Sequence, residues 1–353
     1  MDYGILIPAV ADSWKVVRRA ERLGYSRAWF VDSQMFNTEL FVSMTAAALN
    51  TSKIRIASGV MVSSNRIAPV AASGLASLNA LAPGRIDFGI STGSTARSAM
   101  GLTRVKLADM EEYIRVVRGL LAGETLEWDF EGKRRKIRFL DPDIGAINIR
   151  DEIPLHISAY GPRARRLVAR LGAGLIDVPG GVQRAAANLA DARKAYVEAG
   201  RDPGALHSTV TLSGCVLKEG ESADSPRVKA IAGPDAMIML HKLGEGATGT
   251  LPAAVPAQFT PLVERYRQIY AGYQPPDARY LTNHRGHIMY LRPEEEALCT
   301  GELIRATTFT ATRAELRERM QELQRHGVNH AAVEVPYKHP EALEDWLEVF
   351  ESV

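Results

Sequence analysis

Short apolar runs and amphipathic stretches take turns along this chain, and that alternation limits the fold more than any other feature. "YGILIPAV" (3–10), "SRAWFVD" (26–32), "KIRIASGVMV" (53–62) and "RIDFGI" (85–90) have strand length and β-rich composition. Between them lie helix-period segments at 12–24, 37–50 and 67–85, the last ended by Pro83-Gly84. The first of these has Asp12 or Ser13 as its cap and Gly24 as its stop. A periodic helix follows, with Leu107, Met110, Ile114, Val117 and Leu121 along one stripe. Strand and helix then alternate through 153–159, 161–172, 173–180, 183–199 and 205–217, and the rhythm closes with 328–335 and 340–351. Such βα units imply a parallel sheet covered by helices. Eight of them are the count of a TIM (β/α)8 barrel.

The chain is therefore expected to form a single barrel domain over 1–353, with insertions. The largest insertion, 218–311, is rich in turns, includes helical pieces near 255–272, and precedes the last strand. Such a segment is expected to cover one barrel face, economically the active-site mouth. Residues 124–152 are charged and read as a hairpin-like excursion. The barrel pattern resumes at 310–327, where Thr312 and Glu315 have capping-box spacing.

Composition excludes several function classes. Lys and Arg total 43 against 41 Asp and Glu, so no charge excess points to nucleic acid or an anionic membrane. Lys133-Arg134-Arg135-Lys136 and Arg163-Ala164-Arg165-Arg166 read as solvated faces. Two cysteines, Cys215 and Cys299, build neither a disulfide framework nor a zinc site and read as buried small hydrophobes. No apolar run of about 18 residues and no leader-like start occur, so a cytoplasmic, soluble protein is expected.

In a TIM barrel, chemistry collects where strands end. After the second strand stand Asp32, Ser33 and Gln34; after the third, Ser58-Gly59-Val60; after the fourth, Ser91-Thr92-Gly93-Ser94. After the fifth comes Tyr160-Gly161-Pro162-Arg163, after the sixth Pro179-Gly180-Gly181, and after the eighth Pro336-Tyr337-Lys338-His339. Gly93 with its hydroxyl neighbours, and Gly161-Pro162 at a helix start, are candidate phosphate cradles. Each also fits an ordinary turn or cap. Asp87-Phe88-Gly89 looks like a kinase fragment, but no supporting lysine or H-R-D motif exists. Asp87 is expected inside a strand, pointing outward to a helix or pairing with Arg85. His284 and His287 are spaced i,i+3 without a third metal ligand, so they read as surface or substrate-lid histidines. No G-x-G-x-x-G follows the first strand, and no nucleophile set such as G-x-S-x-G is visible. Polar cradles with few acids, bases or nucleophiles suit an enzyme whose reactive atom belongs to a bound cofactor.

The segments "GYSRAWFVDSQMF", "KIRIASGVMVSSNRIAPVAASGLASLNALAPGRIDFGISTGS", "LADMEEYIRVVRGLLAGE" and "PLHISAYGPRARRLVARLGAGLID" resemble the bacterial luciferase-like flavin-dependent oxidoreductases. The likeness is to the branch that includes methylenetetrahydromethanopterin reductase. It implies a barrel binding reduced FMN, or the deazaflavin coenzyme F420, in its mouth. It also implies a non-proline cis peptide at Ser58-Gly59-Val60, most naturally Gly59–Val60. Cofactor contacts map to Ser91, Thr92, Gly93, Ser94, Tyr160 and Gly161, with Arg163 and Gly180 beside them. Luciferases carry Glu-His-His where this chain has Asp32-Ser33-Gln34, and an arginine where Thr92 stands.

The expectation is a two-component monooxygenase. A separate flavin reductase supplies reduced FMN, O2 reacts, and a small organic substrate is oxygenated. Asp32, Ser33 and Gln34 would bond the ring, while His284, His287, Tyr337 and His339 would contact substrate or move protons. The alternatives are a deazaflavin-dependent reductase or dehydrogenase, and a flavin-binding barrel without catalysis. The resemblance further implies a homodimer or tetramer.

Overall fold

Eight parallel strands close on themselves in the computed structural model, which describes residues 1–246 and 256–351. They are β1 Asp2–Pro8, β2 Arg27–Val31, β3 Arg55–Ser58, β4 Ile86–Ser91, β5 Leu155–Ser158, β6 Gly174–Asp177, β7 Ser208–Leu212 and β8 His330–Glu334. Every neighbour in the order β3-β2-β1-β8-β7-β6-β5-β4 is paired, and β3 pairs with β4 to complete the circle. The expected TIM barrel is the observed fold. Residues 247–255, which belong to the expected insertion and include one end of its helical pieces, lie outside the described residues.

The surrounding helices are α1 Ser13–Arg22, α2 Leu40–Asn50, α3 Ala68–Leu81, α4 Leu107–Leu121, α5 Pro162–Leu171, α6 Val182–Glu198, α7 Pro226–Gly244, α8 Thr260–Ala271, α9 Arg313–Arg325 and α10 Ala342–Phe350. Local chemistry sets their ends. Thr312 and Glu315 form the expected reciprocal capping box at the start of α9. At α1, Asp12 holds the cap position without a side-chain bond, while Ser13 Oγ donates to the Pro8 carbonyl at 2.8 Å. Leu126–Phe130 and Lys133–Ile137 form the anticipated antiparallel hairpin, with Lys133 to Lys136 exposed. The second basic run differs: Arg165 is buried and bonds Asp191 at 2.5 Å.

Strand alternation divides the side chains into two sets. Ile5, Ile7, Phe30, Ile56, Ile86, Phe88, Ile90, Leu175, Val210, Leu212, Ala331, Val333 and Val335 join the large core between strands and helices. The opposite parity fills the barrel: Trp29, Ala57, Ile176 and Ala332 form an inner cluster on which Leu6 and Val60 pack. Below it, Asp87 meets Arg27 and Arg55.

That placement corrects the expectation for Asp87. Its neighbours Ile86, Phe88 and Ile90 take the outer face, so Asp87 must point inward. Arg85 is used elsewhere, donating to Thr51 Oγ1 and to the carbonyls of Ala48, Thr51 and Ile54.

The seventh strand is shorter than 205–217. Gly214 breaks it with φ of +146°, and Val216–Leu217 instead pairs with Ala311–Thr312 outside the barrel. This small two-stranded sheet brackets the insertion. Within the insertion, Val228, Ile231, Met237, Leu240, Tyr266, Leu298, Leu303 and Ile304 make a separate core. Cys215 and Cys299 are buried there, as small hydrophobes. α7 was not anticipated, because its apolar residues surround the axis and Pro234 lies inside it.

Candidate active site

The barrel mouth is built by inward-facing residues at the carboxyl ends of the strands. Continuing the inner parity upward gives Leu6, Val31, Val60, Ser91, Ser158, Val178, Thr211 and Glu334. Most of these retain partial exposure. Leu6 and Val60 make the floor apolar. The peptide bond Gly59–Val60 is cis, as the resemblance implied.

Asp32 and Gln34 brace three loops together. The Asp32 carboxylate is buried and accepts from Arg66 Nη1 at 2.8 Å, Arg66 Nη2 at 3.2 Å, Asn65 Nδ2 at 3.2 Å and the Val62 amide at 3.2 Å. Gln34 donates to the Ala96 carbonyl at 2.5 Å and accepts from Asn65 at 2.8 Å. Arg66 also reaches Glu39. The loops after β2, β3 and β4 are thus locked by one network. Ser33 lies beside it, its carbonyl accepting the Phe36 and Asn37 amides at 3.2 and 3.1 Å.

Ser58 is buried and bridges β3 to β4, exchanging bonds of 2.8 and 2.9 Å with the Gly89 carbonyl and amide. In the next loop, Gly93 has φ of +71°, and a Cβ there would lie 2.5 Å from Val62 Cγ1. A turn and a close approach therefore account for this glycine. Its amide donates to Ser91 Oγ at 3.3 Å, Thr92 accepts the Val105 amide at 2.9 Å, and Ser94 Oγ accepts from Arg104 at 3.2 Å.

The starts of α5 and α6 behave differently. Gly161 caps α5, and Gly180-Gly181 lead into α6. A Cβ added at Gly161, Gly180 or Gly181 would meet nothing within 4 Å. First-turn amides of both helices lack intrahelical acceptors, so adjacent positive helix ends face open space. Tyr160 and Arg163 are exposed beside them. Arg165 ties the two helices by bonding Asp191, the Tyr160 carbonyl at 3.1 Å and Asn188 at 3.3 Å. Asn188 in turn donates to both Asp177 oxygens at 3.1 Å. Burial pushes the Asp177 carboxyl up to about 6, against the opposing pull of Asn188.

The histidines of the insertion are buried rather than on the surface, His284 4% and His287 8% exposed. His284 Nε2 lies 2.7 Å from Glu245, and His241 Nε2 lies 2.5 Å from Glu295, which also binds Arg292. Burial, then His241 and His284, hold His287 well below its ordinary value. Phe36, from the loop after β2, packs its ring centroid 6.4 Å from His284 and 6.1 Å from His287. These side chains form a polar network under the insertion, and apolar packing explains what spacing alone left open. Tyr337 lines a separate cleft of ≈ 540 Å³ with Pro8, Lys15, Arg18 and Arg22 of the α1 side. His339 Nδ1 lies 2.9 Å from Glu341.

One feature of the mouth escaped the sequence reading. Glu334, at the end of β8, points inward and is 7% exposed, and burial, then the charge of Asp235 on α7, push its carboxyl well above the usual carboxylate range. The available signal was parity, since Val333 and Val335 flank it on the outer face. Among the described residues, no group of three or more His, Cys, Asp or Glu is arranged to hold a metal ion. No helix among them is long and apolar enough to cross a membrane.

A closed parallel barrel with an apolar mouth floor and two paired helix ends defines a TIM barrel whose candidate site lies at the carboxyl ends of its strands. The luciferase-like monooxygenase family model matches residues 4–330, and the chain belongs to that family. Among curated relatives, it is 26% identical over 251 residues to a 5,10-methylenetetrahydromethanopterin reductase of Methanolobus tindarius, covering 67% of this chain and 72% of the relative. The coenzyme F420-dependent tetrahydromethanopterin reductase of Methanopyrus kandleri superposes with a TM-score of 0.69 at 18% identity, covering 98% of both chains. The oxygenating component of 3,6-diketocamphane monooxygenase of Pseudomonas putida, in complex with FMN, gives 0.67 at 14% identity over 99% of this chain and 96% of that one. These two structures show the shared fold.

Proposed function

We propose that the chain is a deazaflavin-dependent oxidoreductase that moves a hydride to or from a small organic substrate. The observation that carries this reading is the mouth itself. Its floor is apolar, its strand-2 carboxylate is committed to Arg66, and open glycines stand at two neighbouring helix ends. These residues fit a ring with a phosphate-bearing side chain. The match of 251 residues to a reductase favours hydride transfer over oxygenation.

Gly161, Gly180 and Gly181 would hold the phosphate by backbone amides, and Leu6 and Val60 would support the ring. A bound 5-deazaflavin supplies a ring carbon that accepts or gives a hydride. The Asp32–Arg66–Asn65–Gln34 network keeps three mouth loops in register. The insertion, reaching Phe36 on one side and Glu334 on another, would cover the mouth and exclude water. None of these tasks requires a histidine after β2.

A second reading, the reduced-FMN monooxygenase served by a separate reductase and O2, is supported by the FMN-bound structural neighbour. Anaerobic turnover separates the two. Reduction of oxidised F420 by a panel of alcohols without O2 supports the hydride reading. Product formation only with reduced FMN and O2 supports the other.

A further inference from the structure

A cleft of ≈ 540 Å³ lies behind the wall of the barrel mouth. Leu6 of β1 and Glu334 of β8 are register partners that face inward, and the Val335 amide donates to the Leu6 carbonyl at 2.9 Å. The residue after each, Ile7 and Val335, takes the outer face and lines the cleft. Val10, Val16, Pro336 and Pro340 extend this apolar base. None of the exposed large hydrophobics among the described residues belongs to the lining. The apolar surface is therefore recessed in a space that fits one small molecule, and is not displayed as a patch for a protein or a membrane.

The rim is cationic. α1 carries Lys15, Arg18, Arg19 and Arg22, spaced three or four residues apart along one face, and Lys338 joins them from the loop after β8. Asp12 is the one carboxylate in the lining and lies 3.3 Å from Lys15, while Glu344 takes Arg19 at 2.7 Å. Arg18, Arg22 and Lys338 are exposed, and among the described residues no carboxylate lies within ion-pair distance of them. Two of these cations are held in place all the same. Arg18 stacks over Trp14 at 4.9 Å and Lys338 over Tyr337 at 5.3 Å. Lys338 also has φ of +65°, a left-handed conformation that glycine adopts more readily. Arg18 and Arg22 are like charges four residues apart on a helix, a repulsive arrangement that a bound anion relieves.

We propose that this cleft binds a small organic anion, a carboxylate or phosphate monoester joined to an apolar chain. Ile7, Val16 and Val335 take the chain, and Arg18, Arg22 and Lys338 take the acidic group. Guanidinium forks match carboxylate and phosphate oxygens, and an apolar base with a few convergent polar groups is the ordinary make-up of a small-molecule site. The lining of the cleft points away from Leu6 and Glu334, so the site is separate from the mouth and stands whichever cofactor the mouth binds.

Calorimetric titration of the full chain tests this with octanoate and octyl phosphate, each below its micelle concentration. Octanol supplies the chain without the charge, inorganic phosphate the charge without the chain, and vesicles of anionic phospholipid a membrane surface. Saturable binding of octanoate or octyl phosphate at one site is expected, and the preferred probe identifies the acidic group. Octanol and inorganic phosphate should each bind about tenfold or more weakly. The variants are the double change Arg18→Gln with Arg22→Gln, and Lys338→Gly, which removes the cation and suits the backbone. Both change exposed residues and should melt as wild type does, while binding falls about tenfold or more. The proposal is overturned by absence of saturable binding of both probes, or by octanol or inorganic phosphate binding as tightly. Unchanged affinity in the double variant overturns it too, as does binding to anionic vesicles alone.

Discussion

Arg55 grips Asp87 with two prongs inside the barrel, Nε to Oδ2 at 2.8 Å and Nη2 to Oδ1 at 3.0 Å. Arg27 reaches the same Oδ2 at 3.0 Å, and His156 Nε2 lies 3.4 Å from Oδ1. Burial opposes this charge, but His156, Arg27 and Arg55 together outweigh it and hold the carboxyl well below its usual range. Asp87→Asn leaves two guanidiniums without their counter-charge and is expected to cost about 3–5 kcal/mol. A folded pKa lowered below the unfolded value means that the contribution is present above about pH 4 and is lost as pH falls through the folded value. Urea midpoints of wild type and variant should therefore differ at pH 7 and converge in acid. A difference below about 1 kcal/mol at pH 7 contradicts the account.

Asp177 has the opposite sign. Its carboxyl is raised to about 6 by burial, so between about pH 4 and that value the folded state holds the proton more tightly than the unfolded chain. Its contribution is present at the acid end of this window and is lost as pH rises through it. Asp177→Asn should flatten this slope in Tm against pH. An unchanged slope would place the titration elsewhere.

Arg66 and Asp32 separate a structural from a chemical role. Arg66→Ala leaves a buried carboxylate without its cation and is expected to destabilise by about 3–5 kcal/mol. Thermal melting of the cofactor-free chain checks this. A variant that melts like wild type but loses turnover would instead assign Asp32 to the ring, as the resemblance first suggested.

Gly161 and Gly180 test the cradle. Gly161 has extended backbone at φ of −125°, and a Cβ at either position meets nothing within 4 Å. Gly161→Leu and Gly180→Leu should leave stability within about 0.5 kcal/mol. Each should weaken cofactor binding tenfold or more, about 1.4 kcal/mol. Equal affinity in variant and wild type would remove the phosphate from these helix ends.

The barrel was legible because its signals are local. Period-2 runs, helix stripes and the Thr312–Glu315 box all act within a few residues, and they placed the eight barrel strands and most helices, although the seventh strand was read too long and α7 was missed. Asp87 was misplaced although the same period held the answer, since Ile86, Phe88 and Ile90 fill the outer face and force the residue between them inward. Asp32 could not be read, because its partner Arg66 is 34 residues away and only closure of the barrel brings them together. Glu334 and Asp235 lie about 100 residues apart in sequence, on β8 and on a helix whose pattern is apolar all round. His284 and His287 showed spacing but no partner; burial against Phe36 comes from the packed insertion.

Equilibrium titration of the purified chain with oxidised F420, FMN and reduced FMN tests the central claim most directly. The account predicts saturable F420 binding that is weakened in Gly161→Leu and Gly180→Leu, with weaker binding of both FMN forms. Tight binding of reduced FMN with no binding of F420 would contradict it.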